Sequence, residues 1–136
     1  MKNNYSISSE NHPKASELIK LFNQTSWAKK RTIDEIQTLL ENTQIFVTIR
    51  KDNILIGYGR AISDGIYRAL IDDIVIDKNY REKGLGKNIV SVLLGKLQAV
   101  DEIFLNTGEH LEFFYEKFGF ERAKCLTMKL KKTAQQ

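Results

Sequence analysis

One stretch constrains this chain more than any other: Ile74-Val75-Ile76-Asp77-Lys78-Asn79-Tyr80-Arg81-Glu82-Lys83-Gly84-Leu85-Gly86-Lys87-Asn88. It opens on three β-branched residues and passes through a turn with two glycines one residue apart. It then runs directly into Ile89, Val90, Leu93, Leu94 and Leu97 at helical spacing. A buried strand that feeds a glycine turn and then a helix begins a strand–helix–strand crossover, the connection of α/β architectures. The glycines let backbone amides converge on a point, and the unpaired N–H groups of the first helical turn add partial positive charge there. Such a nest suits a pyrophosphate. Glycine also serves any tight strand-to-helix turn, so the pair by itself leaves a purely structural role open. Two phosphate motifs fail on their own residues. A P-loop requires glycine where Arg81 stands and serine or threonine where Asn88 stands, and a dinucleotide fingerprint requires glycine or alanine at Ile89.

The remaining pattern supplies the sheet and helices around this unit. Tyr5 to Ser8 alternates as a first strand, Pro13 marks a helix start, and Leu18, Ile19 and Phe22 follow at helical spacing. Thr32 with Glu35 three residues on reads as a capping box for a second helix whose apolar face is Ile33, Ile36, Leu39 and Leu40, ending near Asn42. From Gln44 the chain turns β-branched and aromatic through Ile49. Asp52-Asn53 is a hairpin signal, and Ile54 to Ile62 is the returning strand. Asp64-Gly65 turns the chain again into Tyr67 to Asp77. The long helix after the glycine turn ends near Val100-Asp101, and Ile103-Phe104-Leu105 is a short buried strand. Leu111, Phe114, Tyr115 and Phe118 form a last helical stripe stopped by Gly119, and Cys125 to Leu130 alternates as a final strand before a polar tail. The expected order is β-α-α-β-β-β-α-β-α-β: an α/β (α+β) fold with a mixed central sheet, one domain over residues 1–136.

Composition narrows the functional classes. With 136 residues, 42% of them hydrophobic, the chain has the material for one core. No apolar run approaches the roughly twenty residues of a membrane span, and the first residues carry no secretory signal, so the expectation is a cytoplasmic protein with no membrane partner. Cys125 is the single cysteine, which excludes an internal disulfide and a cysteine metal cluster. His12 and His110 lack companions at metal-ligand spacing, so no metal is expected. The net charge of +4 comes from lysines mixed with acids, and no nucleic-acid-binding signature accompanies it.

The motif that survives is Arg81-x-x-Gly84-x-Gly86 after an apolar strand. Together with Phe113-Phe114-Tyr115-Glu116-Lys117-Phe118-Gly119-Phe120 it resembles the GNAT superfamily of N-acetyltransferases over most of the chain, element order included. The resemblance implies acetyl-coenzyme A as co-substrate. Backbone from Glu82 through Gly84, Leu85 and Gly86 to Lys87 then wraps the pyrophosphate, with Arg81, Lys83 and Lys87 supplying charge. Main-chain groups of Ile74 and Ile76 pair with the pantetheine arm as an added strand, and Asn106 holds the same arm. Trp27, Arg31, Gly57 to Asp64 and Ile71-Asp72-Asp73 are similar to a subgroup containing plant-type aralkylamine (serotonin) acetyltransferases and small bacterial relatives.

Acetyl transfer requires a neutral amine, a polarised thioester carbonyl and a proton for the departing thiolate. A strand N–H near Val75 is the expected carbonyl donor. By pattern alone Tyr115 is core packing, whereas the resemblance makes it the general acid beside the coenzyme sulfur, touching the cofactor as well. Asp72 and Asp73 are the candidate bases, or else partners for Arg60 or Arg68, and strand parity does not choose between them because a bulge exchanges faces. Trp27, Tyr58 and Tyr67 are expected to line the acceptor pocket for a small-molecule amine. Acetylation of a protein lysine or N-terminus, and a non-catalytic acyl-coenzyme A sensor, are the alternatives. The family offers two strands after the last helix and this chain only one, a shortfall that a homodimer compensates.

Overall fold

The structure is a computed structural model that describes residues 4–132. The chain divides into two compact units, one running to Asn106 and the other beginning at Thr107.

In the first unit, β1 (Tyr5–Ser8) leads through α1 (Ala15–Phe22) and α2 (Ile33–Glu41) into β2 (Ile45–Lys51), β3 (Ile54–Ser63) and β4 (Arg68–Ile76). Then come α3 (Leu85–Lys96) and β5 (Glu102–Leu105). The five strands form one sheet in chain order, antiparallel from β1 to β4 and parallel between β4 and β5. Helix α3 is the crossover that the glycine turn implied. Local chemistry explains the joints. Asp52 and Asn53 both take positive φ, 51° and 68°, the left-handed pair that joins β2 to β3 with the twist of the strands. The Thr32 capping box closes, with Glu35 N–H donating to Thr32 Oγ1 at 3.1 Å and Thr32 N–H donating to Glu35 Oε1 at 2.9 Å.

The sheet is covered on both sides. On one face, Leu18, Leu21 and Phe22 of α1 and Ile36 and Leu40 of α2 pack on Phe46, Leu55, Tyr58 and Val75. Each fully buried side chain of this size contributes about 1.5–3 kcal/mol. Glu17 fastens α1 to β2 through a two-pronged pair with Arg50, at 2.7 and 2.9 Å. On the other face α3 lies close against the strands: a methyl placed on Gly59 would stand 2.5 Å from Ile89 Cγ2 and 3.2 Å from Ile74 Cγ1. Only glycine at that point allows the helix its approach.

The second unit holds a 3₁₀ turn, Glu109–Leu111, and α4 (Glu112–Glu116). Gly119, at φ 97°, ends the helix as the sequence implied, and Phe120 N–H bonds back to the Tyr115 carbonyl at 3.3 Å. One expectation is corrected here. Cys125–Leu130 has the side-chain period of a strand but no ladder: among the described residues nothing pairs with it, and residues 121–132 are all exposed. Alternation records which face a residue wants, whereas a strand also requires a backbone partner. Helix α3 also stops at Lys96, about one turn before the expected end near Val100.

Candidate active site

The site in the first unit is organised by a bulge in β4. Tyr58 pairs with Val75 and Arg60 with Asp72, so Gly59 faces two residues, Asp73 and Ile74. Asp73 takes the left-handed conformation, φ 56°, that admits the extra residue. Both neighbouring carboxylates consequently reach the same guanidinium: Arg60 Nε donates to Asp73 Oδ2 at 2.7 Å, and Arg60 Nη2 is 3.8 Å from Asp72 Oδ2. Asp73 N–H donates to Asp72 Oδ1 at 2.9 Å. The environments differ sharply. The Asp73 side chain is 1% exposed and also lies 3.1 Å from Arg31 Nη1, whereas Asp72 is 42% exposed. Arg31 Nη1 is buried and not aligned for a hydrogen bond, so its contact with Asp73 is a charge pairing. The Arg31 guanidinium also stacks over Phe22 and Trp27, 4.7 and 5.7 Å from the ring centres.

Beside the bulge, β4 has an open edge. Its pairing with β5 begins at Arg68–Glu102 and stops at Ile71–Leu105, while pairing with β3 continues to Ile76. Asp72 to Ile76 therefore has a strand on one side only among the described residues, and Asn106 stands where β5 ends. This unpaired main chain leads into the glycine turn. Glu82 and Gly84 both adopt positive φ, 62° and 80°, and Gly84 is the N-cap of α3 with no side chain capping the helix. The first-turn amides of α3 are therefore left for an outside acceptor, an anion by preference. Arg81, Lys83 and Lys87 are exposed around them. Arg81 Nε donates to the Ile76 carbonyl at 3.3 Å, which holds this charge over the strand end.

A residue with no sequence signal fixes the turn. Gln24, in the α1–α2 connection, donates from Nε2 to Asp77 Oδ2 at 3.2 Å and accepts the Lys78 N–H at 2.8 Å. More than fifty positions separate these partners, so no local pattern announces the clamp. Asp77 also accepts the Asn79 N–H at 2.8 Å, which starts the short 3₁₀ turn before Arg81.

Of the expected acceptor residues, Trp27 and Tyr58 both lie against the Phe22 ring, at 6.2 and 6.5 Å between ring centres, whereas Tyr67 stands apart from them. Trp27 is exposed and near Arg31. Tyr58 is fully buried in the α1–α2 core, edge-on to Phe22, and its hydroxyl near Thr43 finds no aligned partner. Burial, the largest cause, pushes that hydroxyl up to about 12. Tyr67 is exposed at the β3–β4 turn, beside the start of β5 and five residues of strand from Asp72, roughly 16 Å at strand rise. Tyr115 belongs to the second unit, edge-on to Phe114 at 4.9 Å and to Phe120 at 5.9 Å. Burial raises its hydroxyl above the ordinary tyrosine value.

An open strand edge continuous with an uncapped helix mouth has the shape and charge to receive an extended ligand that ends in phosphates. Residues 11–129 match the acetyltransferase (GNAT) domain model. The chain belongs to the GNAT acetyltransferase family. It is 31% identical over 120 residues to a Pyropia yezoensis protein named uncharacterized N-acetyltransferase ycf52, covering 84% of this chain and 68% of that one. It is 30% identical to the Arabidopsis thaliana GCN5-related N-acetyltransferase 1, chloroplastic, over 67% of this chain and 48% of that protein. The matched region thus spans about two thirds of the first relative's length and about half of the second's. A GNAT-family acetyltransferase from Streptococcus pneumoniae superposes with a TM-score of 0.81, covering 94% of this chain and 98% of that one at 20% identity, which speaks to fold. The protein is an N-acetyltransferase, and enzymes of its family draw the acetyl group from acetyl-coenzyme A. Among the described residues no group of histidine, cysteine and carboxylate side chains forms a metal site, and no helix is long and apolar enough to cross a membrane.

Proposed function

We propose that this N-acetyltransferase moves the acetyl group of acetyl-coenzyme A onto a primary amine of a small molecule, by direct attack of the amine on the thioester. The observation that carries the reading is the unpaired edge of β4 continuing into the uncapped N-terminus of α3. Acetyl-coenzyme A supplies an activated acyl group on an arm of amide-bearing pantetheine that ends in a diphosphate. Main-chain groups of Ile74 and Ile76 offer strand-like hydrogen bonds to that arm. The amides from Glu82 to Lys87 receive the diphosphate, and Arg81, Lys83 and Lys87 add charge. Asn106 serves the arm from the β5 side. The N–H of Val75 is the donor assigned to the thioester oxygen, where preorganised backbone is worth most.

Proton transfers fall to side chains. Asp72 takes the role of base, directly or through water, because it is half-exposed, whereas the carboxylate of Asp73 is sealed in and committed to Arg60 and Arg31. Tyr115 is the proposed general acid: its hydroxyl is held above the ordinary value by burial and so retains its proton through the neutral range. Trp27 is the acceptor-side aromatic, whose exposed face suits an amine-bearing organic molecule. A homodimer and a cytoplasmic address belong to the same reading. The Arabidopsis relative's name places that protein in the chloroplast, and imaging of a tagged chain in its own cell decides the address.

The test is release of free thiol from acetyl-coenzyme A across a panel of aromatic amines, polyamines, amino acids and lysine peptides. The expected outcome is stoichiometric thiol and acetylated small amine. Thiol release with peptides alone overturns the acceptor class. Tyr115→Phe should lower kcat at neutral pH by 10²-fold or so, within the usual range for losing a general acid, and leave acetyl-coenzyme A affinity within about twofold. An unchanged kcat removes the role.

A further inference from the structure

Between Ile76, where β4 ends, and Gly84, the N-cap of α3, the chain must stand in one place if its amides are to meet an anion there. The first half of that stretch is held by a network. Asp77 N–H donates to the Ile56 carbonyl at 2.7 Å and ties the segment to β3. Asp77 Oδ1 accepts the Asn79 N–H at 2.8 Å, Asp77 Oδ2 accepts from Gln24 Nε2 at 3.2 Å, and Gln24 Oε1 accepts the Lys78 N–H at 2.8 Å. One primary amide thus grips a side chain and the next residue's main chain at once, with a donor toward the first and an acceptor toward the second. The base of the grip is itself fixed. Gln24 N–H donates to the carbonyl of buried Leu21 at 3.0 Å, and the Thr25 hydroxyl donates to the Phe22 carbonyl and accepts the Ala28 N–H, both at 2.8 Å. Tyr80 also meets Tyr5 edge-on at 6.4 Å, a ring contact that orients no main-chain group.

We propose that Gln24 is a positioning residue for the coenzyme: through Asp77 and Lys78 it sets where the glycine turn stands, and so the affinity for the diphosphate, while the chemical step does not depend on it. The proposal rests on the coenzyme reading above and adds to it a residue from the α1–α2 connection. Glutamine suits the position because a carboxylate and a main-chain N–H must be met side by side. Alanine meets neither. Gln24→Glu keeps the acceptor for Lys78 but sets two carboxylates face to face, and Asp77→Asn leaves a donor facing a donor at one of the three bonds. The two substitutions together restore all three. The new amide at 77 donates to the new carboxylate at 24 and still accepts from Asn79, while the carboxylate accepts from Lys78, so the charge has only changed sides.

The experiment is steady-state kinetics on the full chain, with the panel amine that the wild type acetylates fastest and two acyl donors. These are acetyl-coenzyme A and S-acetylpantetheine, the same arm without the diphosphate. Gln24→Ala and Gln24→Glu should each raise KM for acetyl-coenzyme A about tenfold, the scale of one lost hydrogen bond to a charged group, and leave kcat within about twofold. For S-acetylpantetheine kcat/KM should stay within about twofold, since that donor does not reach the turn. Gln24→Glu combined with Asp77→Asn should bring KM for acetyl-coenzyme A back to within about threefold of the wild type. Should Gln24→Ala not fold, the Gln24→Glu pair decides alone. Equal losses with both donors assign Gln24 to general stability and overturn the positioning role. An unchanged KM overturns it too, as does a double substitution no better than Gln24→Glu. All three results leave the coenzyme reading standing. A wild type that shows no binding of acetyl-coenzyme A by calorimetry overturns that reading, and the role of Gln24 with it.

Discussion

Asp72 and Asp73 are adjacent and chemically identical, yet the bulge gives them opposite fates. Asp73 is enclosed with Arg60 and Arg31, and removing one partner of a buried ion cluster strands the remaining charges. Asp73→Asn should therefore lower stability by about 3 kcal/mol, read as a fall in thermal midpoint. Asp72→Asn, at a half-exposed position, should change stability by less than about 0.5 kcal/mol while clearly reducing turnover at neutral pH. A large melting shift in Asp72→Asn with normal turnover would reverse these assignments. Glu17 gives a separate check. The Arg50 hydrogen bonds, ahead of its other contacts, hold the Glu17 carboxyl down at about 2 against an ordinary 4.5. A carboxyl lowered on folding contributes stability that is full above its unfolded value and is lost as pH falls through the folded one. The stability difference between wild type and Glu17→Gln should be constant above about pH 5 and shrink between pH 4.5 and 2. With the pair partly exposed, solvent screening limits that difference to about 1–2 kcal/mol. The choice between Asp72 and Asp73 was hidden from the sequence because a bulge is a matter of register between two strands, and no spacing within Tyr67 to Asp77 records it.

At the level of elements, signals confined to one segment were legible. The Thr32 capping box, the Asp52-Asn53 hairpin, the glycine turn into α3 and the Gly119 helix stop all form where the sequence places them, since each depends on neighbours only a few residues apart. Signals that require a distant partner were not. The Gln24 clamp on Asp77 and Lys78 has no local trace, and Cys125–Leu130 shows a strand's period without the neighbour that would make it one. The same distinction separates two glycines of β3. At Gly59 an added methyl would stand 2.5 Å from Ile89 Cγ2, a methyl on the branched Cβ of an α3 residue, whereas at Gly57 the tightest contacts are 3.1 Å to Ile76 Cδ1, the free end of a side chain, and 3.3 Å to Ile49 Cβ. Gly59→Ala should cost about 1–3 kcal/mol by forcing α3 off the sheet. It should also weaken acetyl-coenzyme A binding, because α3 carries at its N-terminus the glycine turn proposed to receive the diphosphate. Gly57→Ala should cost less on both counts. Equal melting temperatures for the two variants would show that α3 yields freely, and the close packing would lose its significance.

For the whole molecule, binding and stability are a single equilibrium. A ligand that takes hold only of the folded chain stabilises it by RT ln(1 + [L]/Kd), about 2.7 kcal/mol at a hundredfold excess over Kd. The parts assigned to coenzyme A are backbone in origin: the open edge of β4 and the amides before and within the first turn of α3. They exist only when the sheet and α3 are assembled, so the unfolded chain has no comparable site. Acetyl-coenzyme A should therefore raise the thermal midpoint progressively with concentration. A short acetyl thioester of cysteamine, which lacks the diphosphate, should not do so at matched concentration, because it reaches the strand edge without the helix mouth. The exposed Arg81, Lys83 and Lys87 add a screened component, so the shift should shrink between low and 0.5 M salt as the Debye length falls toward ~4 Å, without vanishing, since the amide hydrogen bonds persist. Equal stabilisation by the two thioesters would place the binding energy on the acyl arm and remove the diphosphate from the helix mouth. A shift abolished entirely by salt would leave lysine and arginine charge as its only source and deny the glycine turn its part.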